Sequence, residues 1–231
     1  MHKLGVSEEV KARILERRGR LRAFPELEPE KMALVAIDMQ NCFCAPGGAV
    51  EVPASRAIVP NINRLARACR QYGIPVIWIK SLNYKDGADW RLFFNHFLSP
   101  EKKAHTAKET AEGDIGRELW KELEVAPDDF TVTKYRYSAM IAGSSNLERL
   151  LRSLGKDTVI ITGTKTNVCC ESTARDAMML DFKVLFISDA LATLSDQEHQ
   201  ASLNVIAQQF GDVLTTEEFL KEIEARGPQQ T

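Results

Sequence analysis

The sequence predicts an α/β protein, a three-layer α/β/α fold of Rossmann-like type around a mostly parallel central sheet. Three observations predict it. Short apolar runs alternate with amphipathic helical patterns through most of the 231 residues. The runs have no polar face, as strands covered on both sides require. A helical pattern stands between successive runs through most of the chain, which is the crossover that parallel strands need.

The elements follow in order. Residues 1–28 are charged and helical in pattern, with apolar positions Val10, Ile14 and Leu21, and read as an N-terminal helical extension packed on the body or on a neighbouring subunit. Residues 29–231 read as one domain. Its first strand is 33–37, and the spacing of Ile58, Ile62, Leu65 and Cys69 gives a helix stopped by Gly73. The next strand is 75–79. Residues 82–113 carry Trp90, Phe93, Phe94, His96 and Phe97 without a clear period, and read as a long irregular insertion forming either one wall of a pocket or a subunit contact. Residues 130–133 are a short strand. A helix over 146–154 closes at Gly155, the β-branched run 158–162 is a central strand, and a helix follows over 167–181. A strand at 184–187, a helix at 196–209 and a short strand at 213–214 complete the pattern.

Composition narrows the function. With 30 basic and 32 acidic side chains the net charge is −2, and no broad basic field is available to bind nucleic acid. No apolar run reaches the roughly 18 to 20 residues of a membrane span, and the first residues lack a secretory pattern. The expectation is a cytoplasmic protein with no nucleic-acid or membrane partner. Five cysteines without an export signal argue against a disulfide framework. Neither Cys42-Phe43-Cys44 nor Cys169-Cys170 has the gap of a zinc knuckle, and four scattered histidines make no ligand set. No metal and no cofactor are expected. Cys69, within a helical pattern, reads as a buried hydrophobe.

Ligands of open α/β sheets bind beyond the carboxyl ends of the strands. Three strand ends carry chemistry: Asp38 after the first, Lys134 after the strand at 130–133, and Cys169 in the turn after the central strand. A thiol at a helix start is expected to have a lowered pKa. A lysine would favour the thiolate further, and a carboxylate in reach could take the proton. Each residue alone has a plain alternative: Asp38 as a turn cap, Lys134 as a surface charge, Cys169 as core filler.

Three motifs occur together in Ala36-Ile37-Asp38-Met39-Gln40-Asn41-Cys42-Phe43, Lys134-Tyr135-Arg136-Tyr137-Ser138-Ala139 and Gly163-Thr164-Lys165-Thr166-Asn167-Val168-Cys169-Cys170-Glu171-Ser172-Thr173-Ala174-Arg175-Asp176-Ala177. In these the chain resembles the isochorismatase-like cysteine hydrolases over about residues 30–225. The resemblance implies Asp38 as general base, Lys134 as its charged partner and Cys169 as nucleophile. It also implies a cis peptide between Thr164 and Lys165, with the Lys165 and Cys169 backbone N–H groups as the oxyanion hole, and a homodimer or homotetramer. Cys170 stands where that family usually has valine, and reads as packing beneath the site.

The resemblance is closest to the ureidoacrylate amidohydrolases, through Arg136-Tyr137-Ser138, Leu150-Leu151-Arg152-Ser153 and Thr166-Asn167-Val168-Cys169 with Glu171-Ser172-Thr173. It implies hydrolysis of a C–N bond in a small amide, ureido or carbamoyl compound through a thioester. Phe43, Asn83, Tyr84, Trp90 and Tyr137 are the candidate substrate contacts. The alternatives are an isochorismatase-type vinyl-ether hydrolase, which needs no thiol, a nicotinamidase-like hydrolase, whose metal-binding histidines are missing after the second strand, and a non-catalytic binding module.

Overall fold

A computed structural model describes residues 2, 5–84 and 86–226 of the chain. Helix α1 (Glu8–Arg18) precedes strand β1 (Met32–Ile37), the one-turn α2 (Asn41–Cys44), α3 (Ser55–Gln71) and β2 (Val76–Ser81). Then come α4 (Arg91–His96), α5 (Pro100–Glu109), β3 (Phe130–Lys134), α6 (Leu147–Ser153) and β4 (Thr158–Thr164). A π-helical turn, Thr166–Cys170, runs into α7 (Glu171–Met179), followed by β5 (Lys183–Ala192), α8 (Asp196–Val205), β6 (Asp212–Leu214) and α9 (Thr216–Glu224). The six strands form one sheet in the order β3-β2-β1-β4-β5-β6, and every pairing is parallel.

The strands read as continuous apolar runs because helices cover both faces. All six residues of β1 and all seven of β4 are buried. Alternate residues feed two cores. Leu34, Ala36, Trp78 and Ile160 pack with α3 and α9 on one side, while Val35, Ile37, Ile77, Val159 and Ile161 pack with α6, α7 and α8 on the other. On α1, Val10 and Ile14 are buried against Ala207 in a third, small cluster. Among the described residues no helix is long and apolar enough to cross a membrane.

The predicted strands and most helices stand where the sequence puts them, with four differences. Residues 82–113 are not irregular: α4 and α5 occupy much of the insertion. Neither shows a clean period because α4 buries only Phe94 and α5 only Thr106 and Ala107, so no broad apolar stripe is required. The helix expected over 167–181 opens as a π turn and becomes α-helical at Glu171. Strand β5 extends to Ala192, well beyond Ile187, after the pairing with β4 shifts between Ile161 and Gly163. Helix α9, which the sequence reading passed over, starts with a capping box at Thr215 and Glu218 and buries Phe219, Leu220 and Ile223.

Candidate active site

The carboxyl ends of β1, β2, β3 and β4 converge on one cavity. Asp38 follows β1 directly and takes a left-handed backbone (φ 54°), its N–H bonded to the Ile79 carbonyl at 3.0 Å. Gly163 makes room for this turn. It lies beside Ile37 in the β1–β4 register, and a Cβ there would come within 2.1 Å of the Ile37 carbonyl oxygen, so no other residue fits. Gln40, fully buried, ties the same strand end to β2: its Oε1 accepts from the Ser81 N–H at 2.7 Å and its Nε2 donates to the Ser81 carbonyl at 3.2 Å and the Arg117 carbonyl at 2.9 Å.

At the cavity floor Lys134 Nζ lies 2.9 Å from Asp38 Oδ2 and 3.5 Å from Cys169 Sγ. The ammonium has three protons to give, and they go to Ser81 Oγ (2.7 Å), the Arg136 carbonyl (3.1 Å) and Cys169 Sγ. Ser81 Oγ in turn donates to Asp38 Oδ1 at 2.9 Å. Asp38 Oδ2 is therefore held by charge, without an aligned donor among the described residues, and keeps a lone pair able to receive a proton. Asp38 and Lys134 are buried completely or nearly so, and Cys169 is 4% exposed.

Burial alone would lower the Lys134 ammonium, but the Asp38 carboxylate beside it, helped by hydrogen bonding to Asp38 and Cys169, holds it above its ordinary value. The Cys169 thiol is pushed up to about 12, first by burial and next by the negative charge of Asp38, with Lys134 opposing. This reverses the expectation of a lowered thiol pKa. The positive end of a helix is a modest effect at the helix start, whereas here the sulfur is sealed in and an anion is its neighbour. A thiol raised this far keeps its proton near neutral pH.

Above the floor the cavity measures about 230 Å³ and is lined mainly by Phe43, Leu82, Asn83, Trp90, Phe93 and Tyr137, with Lys165 and Cys169 at the β4 edge. Four of the five expected contact residues, Phe43, Asn83, Trp90 and Tyr137, line it. Tyr84 does not: it is 54% exposed, turned outward where its N–H meets Asp89 Oδ1 in a tight turn leading to Gly87. Tyr137 meets Trp90 edge-on at 4.7 Å, and the Arg136 guanidinium lies 5.2 Å over Trp90 while bonding the Tyr135 and Asp89 carbonyls. The Thr164–Lys165 peptide is cis. Cys170 points away, its Sγ toward the Thr162 carbonyl at 3.8 Å in the core beneath β4. All five cysteines are free and buried, and among the described residues no group of three or more His, Cys, Asp or Glu side chains could hold a metal ion.

Ser81 is the participant that sequence reasoning missed. Its signal was present, since it is the polar last residue of β2 and strand ends are where ligands sit.

These polar groups gather at the strand ends of an all-parallel α/β sheet, and the comparisons with known proteins place the chain among hydrolases. The profile of the isochorismatase domain matches residues 32–218, and the chain belongs to the isochorismatase family of hydrolases. It is 36% identical over 173 residues to a probable inactive nicotinamidase of Arabidopsis thaliana, covering 74% of this chain and 85% of that protein. It is 31% identical over 217 residues to a ureidoacrylate amidohydrolase of Pseudomonas savastanoi pv. phaseolicola, covering 86% and 87%. Among solved structures, a cysteine hydrolase from Pseudomonas syringae pv. phaseolicola superposes with a TM-score of 0.80 at 33% identity, covering 89% of this chain and 98% of that one.

Proposed function

We propose that the protein is a cysteine-dependent amidohydrolase that cleaves a C–N bond of a small amide, ureido or carbamoyl compound through a thioester. The observation that carries this reading is the Lys134 ammonium between Asp38 (2.9 Å) and Cys169 Sγ (3.5 Å) on the floor of a small cavity. The relatives that bear the names ureidoacrylate amidohydrolase and cysteine hydrolase support it.

The steps follow from the charges. Because the resting thiol is protonated, attack is coupled to proton transfer: Asp38 takes the proton as Cys169 Sγ bonds to the substrate carbonyl. Lys134 holds both the carboxylate and the developing thiolate in place. The carbonyl oxygen becomes an oxyanion, bound by the Lys165 and Cys169 backbone N–H groups, donors worth about 3 to 4 kcal/mol each when preorganised. Asp38 returns the proton to the leaving nitrogen, the C–N bond breaks, and ammonia or an amine departs. A water then gives a proton to Asp38 and attacks the thioester, and Asp38 passes that proton to the departing sulfur, freeing the thiol and the acid, a carbamate-type fragment where the acyl group is carbamoyl. A cavity of about 230 Å³ with an aromatic wall suits a compact substrate.

The test is an ammonia-release screen over ureides, carbamoyl amino acids, nicotinamide and simple carboxamides, with isochorismate assayed separately. Turnover of at least one C–N substrate is expected, falling by a factor of about 10⁴ or more in Cys169→Ala. Activity on isochorismate alone, or turnover that survives in Cys169→Ala, rejects the thioester mechanism.

A further inference from the structure

The turn that carries Cys169 is gripped from behind by side chains far away in sequence. Thr166, fully buried, opens the π turn three residues before Cys169 and directly follows Lys165. Its Oγ1 lies 3.0 Å from His199 Nδ1 on α8, and its carbonyl accepts from Ser202 Oγ at 3.3 Å. The His2 ring stacks on the His199 ring from outside, with centroids 4.5 Å apart and planes 20° apart. His2 is itself fixed. Its Nε2 accepts from the Thr193 N–H at 3.1 Å, so the proton is on Nδ1, which faces Asp196 Oδ1 at 2.5 Å. Thr193 Oγ1 donates to Asn167 Oδ1 at 2.6 Å, the next residue of the same turn.

We propose that His2 and His199 form a positioning clamp: the stacked rings, through Thr166, hold the turn so that Cys169 Sγ meets Asp38 and Lys134. The inference rests on the reading of Cys169 as nucleophile. It goes beyond that reading in giving His2 and His199 a part in catalysis that neither the cavity lining nor the strand ends reveal. A shift of a fraction of an ångström in this turn moves the sulfur and, through Lys165, one edge of the oxyanion site together. His199 is a positioning residue and touches no substrate.

Two readouts on the full-length protein test the clamp. One is kcat and KM on an amide that the wild type turns over. The other is the rate at which iodoacetamide alkylates Cys169, followed by mass spectrometry of its peptide, which needs no known substrate. Thr166→Val and His199→Phe, each keeping its shape but losing the polar contact, should lower kcat about tenfold to a hundredfold with KM within about threefold. Each should slow alkylation about tenfold, because a sulfur displaced from Asp38 cannot pass its proton to that carboxylate as the S–C bond forms. Thr166→Ser should remain within about threefold of wild type, and the Thr166→Val/His199→Phe double variant should be no worse than the poorer single variant, since both cut one contact. His2→Ala, at the edge of the fold, should cost about threefold in both readouts and keeps the test open if a core variant fails to fold. Unchanged or faster alkylation with unchanged kcat, accompanied only by a lower Tm, reduces the network to packing and overturns the clamp. If the wild type turns over no amide, the proposed activity fails while the alkylation arm still decides this inference.

Discussion

The floor of the cavity and its outer wall hold their side chains by opposite means. The floor is made by the residue after β1, the last residues of β2 and β3 and the turn after β4, where Asp38, Ser81, Lys134 and Cys169 are held by charge and hydrogen bonds among buried strand ends. The wall, residues 82–113, carries two short helices; the rings of Trp90, Phe93 and Phe94 touch one another at the first of them, while Leu92 (66% exposed) and Phe97 (70%) face outward. Strand ends fix geometry to tenths of an ångström, whereas a surface insertion with few buried contacts is drawn from the less stable part of a structure. On the proposed mechanism the difference assigns the chemical step to the floor and the choice of molecule to the wall. Substitutions should split accordingly into effects on kcat and effects on KM.

The sharpest break is at the floor. Lys134→Met preserves the length of the side chain but leaves Asp38 as a buried anion without its cation, beside a thiol that has lost its partner. The expected loss is about a thousandfold in kcat, measured by ammonia release, with about 3 to 5 kcal/mol of stability lost in denaturant unfolding. A variant with near-normal kcat would mean that Lys134 only fills space.

At the wall the expectation is smaller and of another kind. Trp90→Ala removes a ring from the cavity and the platform beneath Arg136, so KM should rise about tenfold while kcat stays within about threefold. A fall in kcat at constant KM would erase the distinction between floor and wall.

The same split governs what was legible in the sequence. Asp38, Lys134 and Cys169 could be found because a parallel sheet sends every strand's carboxyl end to one edge, so a polar residue after an apolar run is already placed. Ser81 obeys that rule but sits beside Lys80, whose charge points away to Glu118, and a pair of polar residues at a strand end does not say which of them turns inward. The wall was not legible, because α4 and α5 bury too little to print a period, and Tyr84 looked like its neighbours Asn83 and Trp90 until the turn at Tyr84 sent it to solvent. The state of the thiol was misjudged for a related reason. A local sequence signal carries the helix start, while the burial and the neighbouring Asp38 charge that dominate arise only from tertiary packing.

The smallest effect on activity is expected at Cys170, which lies beside the proposed nucleophile in sequence and on the other side of the backbone in space. Cys170→Val should keep kcat within about twofold. Its thiol nevertheless has a measurable consequence for stability, because burial raises it well above its ordinary value. A group whose folded pKa is raised stabilises the native state fully below its unfolded pKa, about 8.5 for cysteine, and that contribution is lost as pH climbs toward the folded value. Cys44, raised to about 11 by burial, and Cys169, raised to about 12, act in the same direction, so the native state should weaken steadily above about pH 8.5. Each thiol contributes roughly 1.4 kcal/mol per pH unit to that slope. Removing one of them should make Cys170→Val lose less stability than wild type between pH 8 and pH 10, in urea unfolding under reductant. Curves that run parallel from pH 8 to pH 10 would place Cys170 in contact with water, and the separation between an inward sulfur and a catalytic one would have to be drawn elsewhere.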